Sequence, residues 1–149
     1  LPCTGDRFGA VIRSRIPYVG SVGAVDMVNF GGRETVPAVF KDRTFHIHNP
    51  HVTLMRTTPA ENKLIGEWMV ARLNGMTGPV RFLLPLRGVS AIDAAGQAFH
   101  DRQADAALFA AIRGGCVPAR NRKLIEIDAH INGATFSTAG VKQFKPLNM

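Results

Sequence analysis

Strand-like and helix-like segments alternate along this chain, and this alternation constrains its fold more than any other feature. Short apolar stretches typical of buried strands are separated by segments in which apolar residues recur at helical spacing. Strands joined by helices of about ten or more residues favour βαβ units and a parallel sheet. The pattern therefore predicts a three-layer α/β fold of Rossmann-like type, with a mostly parallel sheet and helices on both faces, as part of a larger domain.

The clearest element is a helix predicted to begin after Thr58. The segment Thr58-Pro59-Ala60-Glu61 fits a capping box, with Thr58 as N-cap, proline at the first helical position and Glu61 at the third. Asp101 and Asn132 are expected to cap two later helices. Altogether, helices are predicted over residues 6–15, 59–74, 102–113 and about 135–145, and strands over 18–24, 44–48, 79–86 and 123–128.

Length and composition favour a single cytoplasmic domain over residues 1–149. The sequence lacks an apolar run long enough for a transmembrane helix, so a membrane partner is not expected. The net charge of +7 is spread over scattered basic residues without a basic stripe, so nucleic acid is not an expected partner. The two cysteines favour a reduced protein, although a disulfide between Cys3 and Cys116 fits the sequence as well.

Polar residues follow each predicted strand. In open α/β sheets, ligands bind outside the carboxyl ends of the strands, so these residues are expected to converge on one site. The four groups are Asp26 and Asn29; His48, Asn49, His51, Thr53 and Arg56; Arg87, Gly88, Ser90 and Asp93; and Asp128, His130 and Asn132.

The stretch from His46 to Thr58 is the richest in polar side chains. A polar loop that leads into a helix N-terminus can bind an anion, because free N–H groups and the helix dipole point to the same place. Arg56 would hold a phosphate or carboxylate group together with Arg87, while hydroxyls would donate hydrogen bonds. An alternative is a capped loop whose histidines satisfy local hydrogen bonds. The predicted hydroxyl donors are Thr57, Thr58 and Ser90.

A general base is conceivable at His51 or His130, but the sequence does not decide whether the domain is an enzyme. Asp128 lies two residues before His130 and is predicted to set its tautomer. The alternative is that Asp128 caps a turn and His130 is a solvated loop residue. No metal site is predicted, since the HExxH and paired-cysteine motifs are both missing from the sequence.

Several motifs keep an order and spacing similar to those of a known family. These segments cover nearly the whole chain: Ile16-Pro17, residues 23–31, Thr35-Val36-Pro37, residues 48–58, Glu61, residues 84–90, Asp93, Gly96, Phe99-His100-Asp101 and residues 128–132. In these segments the chain resembles the C-terminal domain of the tomato mosaic virus resistance protein-like family, a Tm-type ATP-binding-domain family with bacterial relatives.

The resemblance implies a two-domain parent in which this chain forms most of the second domain, with the N-terminal domain as a partner. It also implies ATP with Mg²⁺ as the cofactor. Because few strands can be identified in the sequence, the sheet is expected to have an open edge. A second copy of the chain is expected to bind this edge and form a homo-oligomer. We therefore expect a domain that binds an anionic small molecule, such as a nucleotide. The alternative is a non-catalytic protein–protein interaction module with a vestigial cleft.

Overall fold

The computed structural model describes residues 4–147, which form four α-helices and six β-strands. Short 3-10 turns occur between the second and third strands and after the last helix. In chain order the elements are α1 (Gly9–Ser14), β1 (Tyr18–Ser21), β2 (Met27–Phe30), β3 (Phe45–Asn49), β4 (Val52–Arg56), α2 (Pro59–Gly75), β5 (Val80–Pro85), α3 (Arg102–Gly115), β6 (Arg122–Ile127) and α4 (Ala134–Phe144).

The central sheet is parallel and has the strand order β1-β5-β6. Alternation along β5 places Val80, Phe82 and Leu84 on one face, where they pack against buried apolar residues of α2 and α3. Helix α4 lies against all three strands, and its Phe136 is buried outside that core. The predicted α/β fold with helices on both faces of a parallel sheet is therefore confirmed.

A second sheet is antiparallel and has the order β2-β4-β3. Here the sequence prediction was wrong in two respects. The strand predicted over residues 44–48 belongs to this sheet and not to the parallel one, and Met27–Phe30 and Val52–Arg56 are strands where loops were expected. In β4 the four residues from Thr53 to Arg56 are all buried, so the alternation that identifies a half-exposed strand is missing.

Two of the three predicted helix caps are confirmed. In the capping box of α2, the Glu61 N–H donates to Thr58 Oγ1 at 3.2 Å and the Thr58 N–H donates to Glu61 Oε2 at 2.7 Å. Asp101 Oδ1 accepts the N–H groups of Gln103 and Ala104 in the first turn of α3. The cap predicted for α4 was wrong, because the N-cap residue is Gly133, which has no capping side chain.

Within residues 4–147, no helix has the length and apolar character needed to cross a membrane. Cys3, which the sequence could pair with Cys116, lies outside the described residues.

Candidate ligand-binding cleft

A cleft of about 390 Å³ lies at the carboxyl ends of the three parallel strands. The loop after each parallel strand contributes to it, and the antiparallel sheet forms the facing wall. Its volume falls in the range of small-molecule sites. The lining residues are Gly23 and Ala24 after β1; Val89, Ser90, Ala91 and Ile92 after β5; Ile131 and Asn132 after β6; and Met27, His48 and Leu54 from the second sheet.

Three of the predicted ligand-binding residues meet in this cleft, namely His48, Ser90 and Asn132. His48 and Asn132 are exposed, whereas Ser90 is buried. The rest of the wall is mostly apolar. The main-chain N–H groups of Ala91 and Ile92 have no acceptor within residues 4–147. The cleft thus combines apolar walls with a few polar groups, which is the usual composition of a small-molecule site.

Ser90 is held by the fully buried Asp26. The Ser90 hydroxyl donates to Asp26 Oδ2 at 2.7 Å. Burial raises the pKa of Asp26, while the hydrogen bond from Ser90 and the charge of Arg56 act in the opposite direction. The other oxygen, Oδ1, has no hydrogen-bond partner within the described chain. Asp26 is therefore a buried acceptor behind the wall of the cleft.

The loop after β5 is held in place around Gly88. This glycine has φ +126°, and a Cβ added to it would lie 2.7 Å from His130 Cδ2. Asp93 Oδ2 accepts the Val89 N–H at 2.8 Å, and the Val89 carbonyl accepts the Ala24 N–H at 2.9 Å. These bonds link the loops after β1 and β5 and set the position of Ser90 between them.

Both ring nitrogens of His130 are engaged. Its Nε2 lies 2.9 Å from the Ser90 carbonyl, and its Nδ1 accepts the Asn132 N–H at 3.1 Å. Because a carbonyl only accepts, Nε2 is the nitrogen that carries the hydrogen. The structure gives His130 a supporting role for the cleft loops and leaves neither nitrogen free for a substrate.

The predicted pair of Asp128 and His130 is not formed. Asp128 is instead bonded through both oxygens to the exposed guanidinium of Arg87, which lowers the pKa of Asp128. His51 lies in the turn between β3 and β4, where its N–H donates to Asn49 Oδ1. The structure therefore does not bring the three predicted catalytic residues into one constellation.

Arg56 lies in a buried ionic network and is only 5% exposed. Its Nη2 lies 2.8 Å from Asp105 Oδ1 and 3.3 Å from Asp93 Oδ1. Its Nε donates to the Phe99 carbonyl at 2.8 Å, and its Nη1 contacts Thr57 Oγ1 at 3.3 Å. All three nitrogens are thus used inside the protein, and the expected anion site shared with Arg87 is not formed by these side chains.

The hydroxyls of Thr57 and Thr58 are also occupied. The Thr57 hydroxyl donates to the Val25 carbonyl, and the Thr58 hydroxyl bonds to Glu61 in the capping box. Thr53 is fully buried, and its hydroxyl has no partner within residues 4–147. Asn29 is exposed on β2, opposite Leu54. None of these residues lines the cleft.

No metal centre is evident in the described part of the chain. Groups of three or more His, Cys, Asp or Glu side chains that could hold a metal ion do not occur among residues 4–147. A magnesium ion at this cleft would have to be held mainly by phosphate oxygens of a bound ligand, which is a common mode of Mg²⁺ binding.

Sequence reasoning missed the apolar lining of the cleft and one partner of Arg56. Ala91, Ile92 and Ile131 lie among the polar residues that follow the strands. Their position after a parallel strand was the only sequence feature that could have identified them as cleft residues. Asp105 lies one helical turn before the buried Phe109, so its helical spacing placed it on the inward face of α3.

Comparison with known proteins identifies relatives along almost the whole chain. Residues 1–148 match the family described as "Uncharacterised protein family (UPF0261) C-terminal domain". A UPF0261 protein of Rhizobium meliloti is 51% identical over 147 residues, which cover 99% of this chain and 37% of that protein. A UPF0261 protein of Clostridium tetani is 42% identical over 144 residues, which cover 97% of this chain and 35% of that protein. The ToMV resistance protein Tm-1 of Solanum lycopersicum is 40% identical over 144 residues, which cover 97% of this chain and 19% of that protein.

Proposed function

The chain belongs to the UPF0261 family as its C-terminal domain, and we propose that it is a ligand-binding α/β domain whose small-molecule ligand occupies the cleft described above. One observation carries the proposal: loops from all three parallel strands meet around a single cavity, with the second sheet as its facing wall. The carboxyl ends of parallel strands are where open α/β sheets bind ligands.

The composition of the cleft favours a ligand with an apolar body and an anionic group. The apolar walls suit a flat or aliphatic portion. A carboxylate or phosphate would find donors in the N–H groups of Ala91 and Ile92. Gly133 provides no capping side chain for α4, so the N–H groups of Ala134 and Thr135, which follow Asn132 and Gly133, are further donors. The anionic ligand expected from the sequence is thus retained, with these donors in place of Arg56.

A nucleotide fits this description, and ATP with Mg²⁺, implied by the family resemblance, is the first ligand to test. The base would use the apolar walls and the phosphates the main-chain donors. When bound, ATP would supply phosphate oxygens that hold the metal ion. The residues of this chain would orient the nucleotide and exclude water from it.

The test is a thermal-shift series with ATP, ATP with Mg²⁺, AMP, adenosine and inorganic phosphate. Binding to the native state alone raises Tm in a concentration-dependent way. Ala91→Trp fills the cleft from an exposed position in its wall, and Ala110→Trp places the same side chain on an exposed position of α3 outside it. We expect the shift in the wild type and in Ala110→Trp, and its loss in Ala91→Trp. Equal shifts in both variants would place binding elsewhere and refute the proposal.

The alternative, a protein–protein interaction module, is favoured by one observation. Val141 and Phe144 on α4 are 55% and 52% exposed and lie three residues apart, so they share a helix face. If this face binds a partner protein, Val141→Ser with Phe144→Ser abolishes the complex and leaves ligand-dependent melting unchanged. If the cleft is the functional site, Ala91→Trp would abolish ligand-dependent melting and leave the complex with the partner protein unchanged.

A further inference from the structure

We propose that Ser90 selects ligands that present a hydroxyl or amine donor, because its own hydroxyl hydrogen is committed to Asp26. This inference rests on the proposed ligand-binding cleft and specifies the chemistry of the ligand at one point in it. The ligand class would be hydroxylated or aminated small molecules that also carry an acceptor or anionic group, as in nucleosides, sugar phosphates and hydroxy acids.

The first step of the argument is the direction of one hydrogen bond. A serine hydroxyl has one hydrogen and two lone pairs. Ser90 donates that hydrogen to Asp26 Oδ2 at 2.7 Å, and Ser90 also lines the cleft. What remains available to a ligand is therefore the lone pairs of Oγ, which accept a hydrogen bond.

The second step is that the hydrogen is not easily released. Asp26 is fully buried, and its Oδ1 already lacks a partner within residues 4–147. If Ser90 turned to donate to a ligand, Asp26 would lose its side-chain donor as well. Leaving a buried acceptor unsatisfied incurs its full desolvation penalty, so the bond to Asp26 is preferred.

The third step is the rigidity of the loop. The Ser90 carbonyl accepts both the Nε2–H of His130 at 2.9 Å and the N–H of Asp93 at 3.1 Å. Because the backbone on either side is held, Ser90 keeps its place in the wall of the cleft. The neighbouring N–H groups of Ala91 and Ile92 offer donors beside this acceptor. The proposed site thus places one acceptor, Ser90 Oγ, next to two N–H donors. A ligand would need a hydrogen-bond donor next to an acceptor or anionic group.

The test uses matched probes that differ in one hydrogen-bond donor. Adenosine is compared with 2′-O-methyladenosine and 3′-O-methyladenosine, and benzyl alcohol with benzyl methyl ether, since each ether keeps the oxygen and loses the hydrogen. Binding is followed by ¹H–¹⁵N spectra of the 149-residue chain. The free hydroxyl compounds should shift the Ser90 amide and bind about threefold to tenfold more tightly than an ether of the same pair, the scale of one hydrogen bond.

Variants separate a selecting role from a merely structural one. Ser90→Ala should bind both members of a pair alike, and Ser90→Thr, which keeps a hydroxyl, should retain the preference. Asp26→Asn can donate from its amide to Ser90 Oγ, which frees the Ser90 hydrogen, so the preference should shift towards the ethers. Ser137→Ala is the matched control, because this exposed serine bonds to the Ala134 carbonyl on α4, outside the cleft.

The outcomes distinguish this inference from the proposed function. Ethers that bind in the cleft as tightly as the alcohols would overturn the donor selection and leave the cleft as a ligand site. A preference that persists in Ser90→Ala would also overturn it. If no probe of either kind perturbs the Ser90 amide, both the inference and the proposed site fail. Should Asp26→Asn not fold, the comparison of Ser90→Ala with Ser90→Thr decides the question.

Discussion

Nη2 of Arg56, at the end of β4, lies 2.8 Å from Oδ1 of Asp105 on α3, and both residues are buried. Asp93 Oδ1 lies 3.3 Å from the same nitrogen. One guanidinium therefore joins the antiparallel sheet, the loop after β5 and the helical layer. This contact makes Arg56 a structural centre of the domain, and its consequences for stability can be measured.

Replacing Arg56 with Met should lower the free energy of unfolding by about 3–5 kcal/mol, because Asp93 and Asp105 would stay buried without their cation. Urea unfolding measures this loss. Arg120→Met is the matched control, since Arg120 is exposed, and it should change stability by no more than about 0.5 kcal/mol. If both substitutions change the free energy of unfolding equally and only slightly, Arg56 is not a structural residue, and its role as a ligand for an external anion would again be the better interpretation.

The stability of the domain should depend on pH through Asp105. Burial, with the nearby Asp93 carboxylate adding to it, raises the pKa of Asp105 from 3.8 to about 6, although Arg56 opposes the shift. A carboxyl with a raised pKa in the folded state stabilises the fold fully below pH 3.8, and this contribution is lost as the pH rises through about 6. Relative to Asp105→Asn, the wild type should therefore lose stability as the pH rises through this range.

The measurement is the free energy of unfolding of the wild type and Asp105→Asn from pH 4 to pH 7.5. Taking the difference between the two proteins cancels the titration of distant groups that both retain, whereas Asp93, which interacts with Asp105, still contributes to the difference. Parallel curves would show that Asp105 has the same pKa in the folded and unfolded chain.

Gly88→Ala should destabilise the cleft loop more than Gly96→Ala. Both glycines have positive φ, +126° and +81°, so both substitutions incur backbone strain of about 1–3 kcal/mol. At Gly96 an added Cβ meets nothing within 4 Å, whereas at Gly88 it would lie 2.7 Å from the His130 ring. The clash should add a further 1–3 kcal/mol or so. The Asp93 carbonyl oxygen would also lie 2.9 Å from this Cβ, so equal losses in thermal unfolding would mean that both the His130 ring and this carbonyl move aside freely.

The homo-oligomer expected from the sequence remains a prediction, with β1 as its contact edge. In the described chain, β1 pairs only with β5, so one side of the strand is open. Light scattering should show a mass that rises with concentration, and Val19→Lys should reduce it by placing a charge on this edge. Val39→Lys, in a 3-10 turn where Val39 is 82% exposed, is the control. A wild-type monomer at all concentrations would contradict the prediction.

The sequence predicted the elements whose signals are local. The capping box places the start of α2 after Thr58, and Asp101 places the start of α3. Strand β2 was missed because it is short and forms by pairing with the distant β4, as Met27 does with Arg56. Strand β4 was missed because its buried residues do not alternate with exposed ones. From its local sequence Arg56 is interpreted as an anion ligand in a loop, because its partners Asp93 and Asp105 lie 37 and 49 residues away.

The same reason limits what the sequence predicts about the site. The rule that ligands gather after parallel strands placed Ser90 and Asn132 together at one edge, whereas His48 reaches the cleft from the antiparallel sheet. It did not identify which polar residues are free, because internal partners decide that. Ser90 and Arg56 both read as anion ligands, and both use their hydrogens inside the protein. The apolar walls carry no local motif.

The most direct test of the ligand-binding cleft is a titration of the ¹⁵N-labelled chain with ATP, AMP and small carboxylates, followed by chemical-shift mapping. The account predicts saturable changes in the three loops that follow β1, β5 and β6 and at His48, and their loss in Ala91→Trp. Changes confined to the exposed arginines Arg87, Arg102 and Arg113, or no saturable change in the loops with any of these ligands, would contradict it.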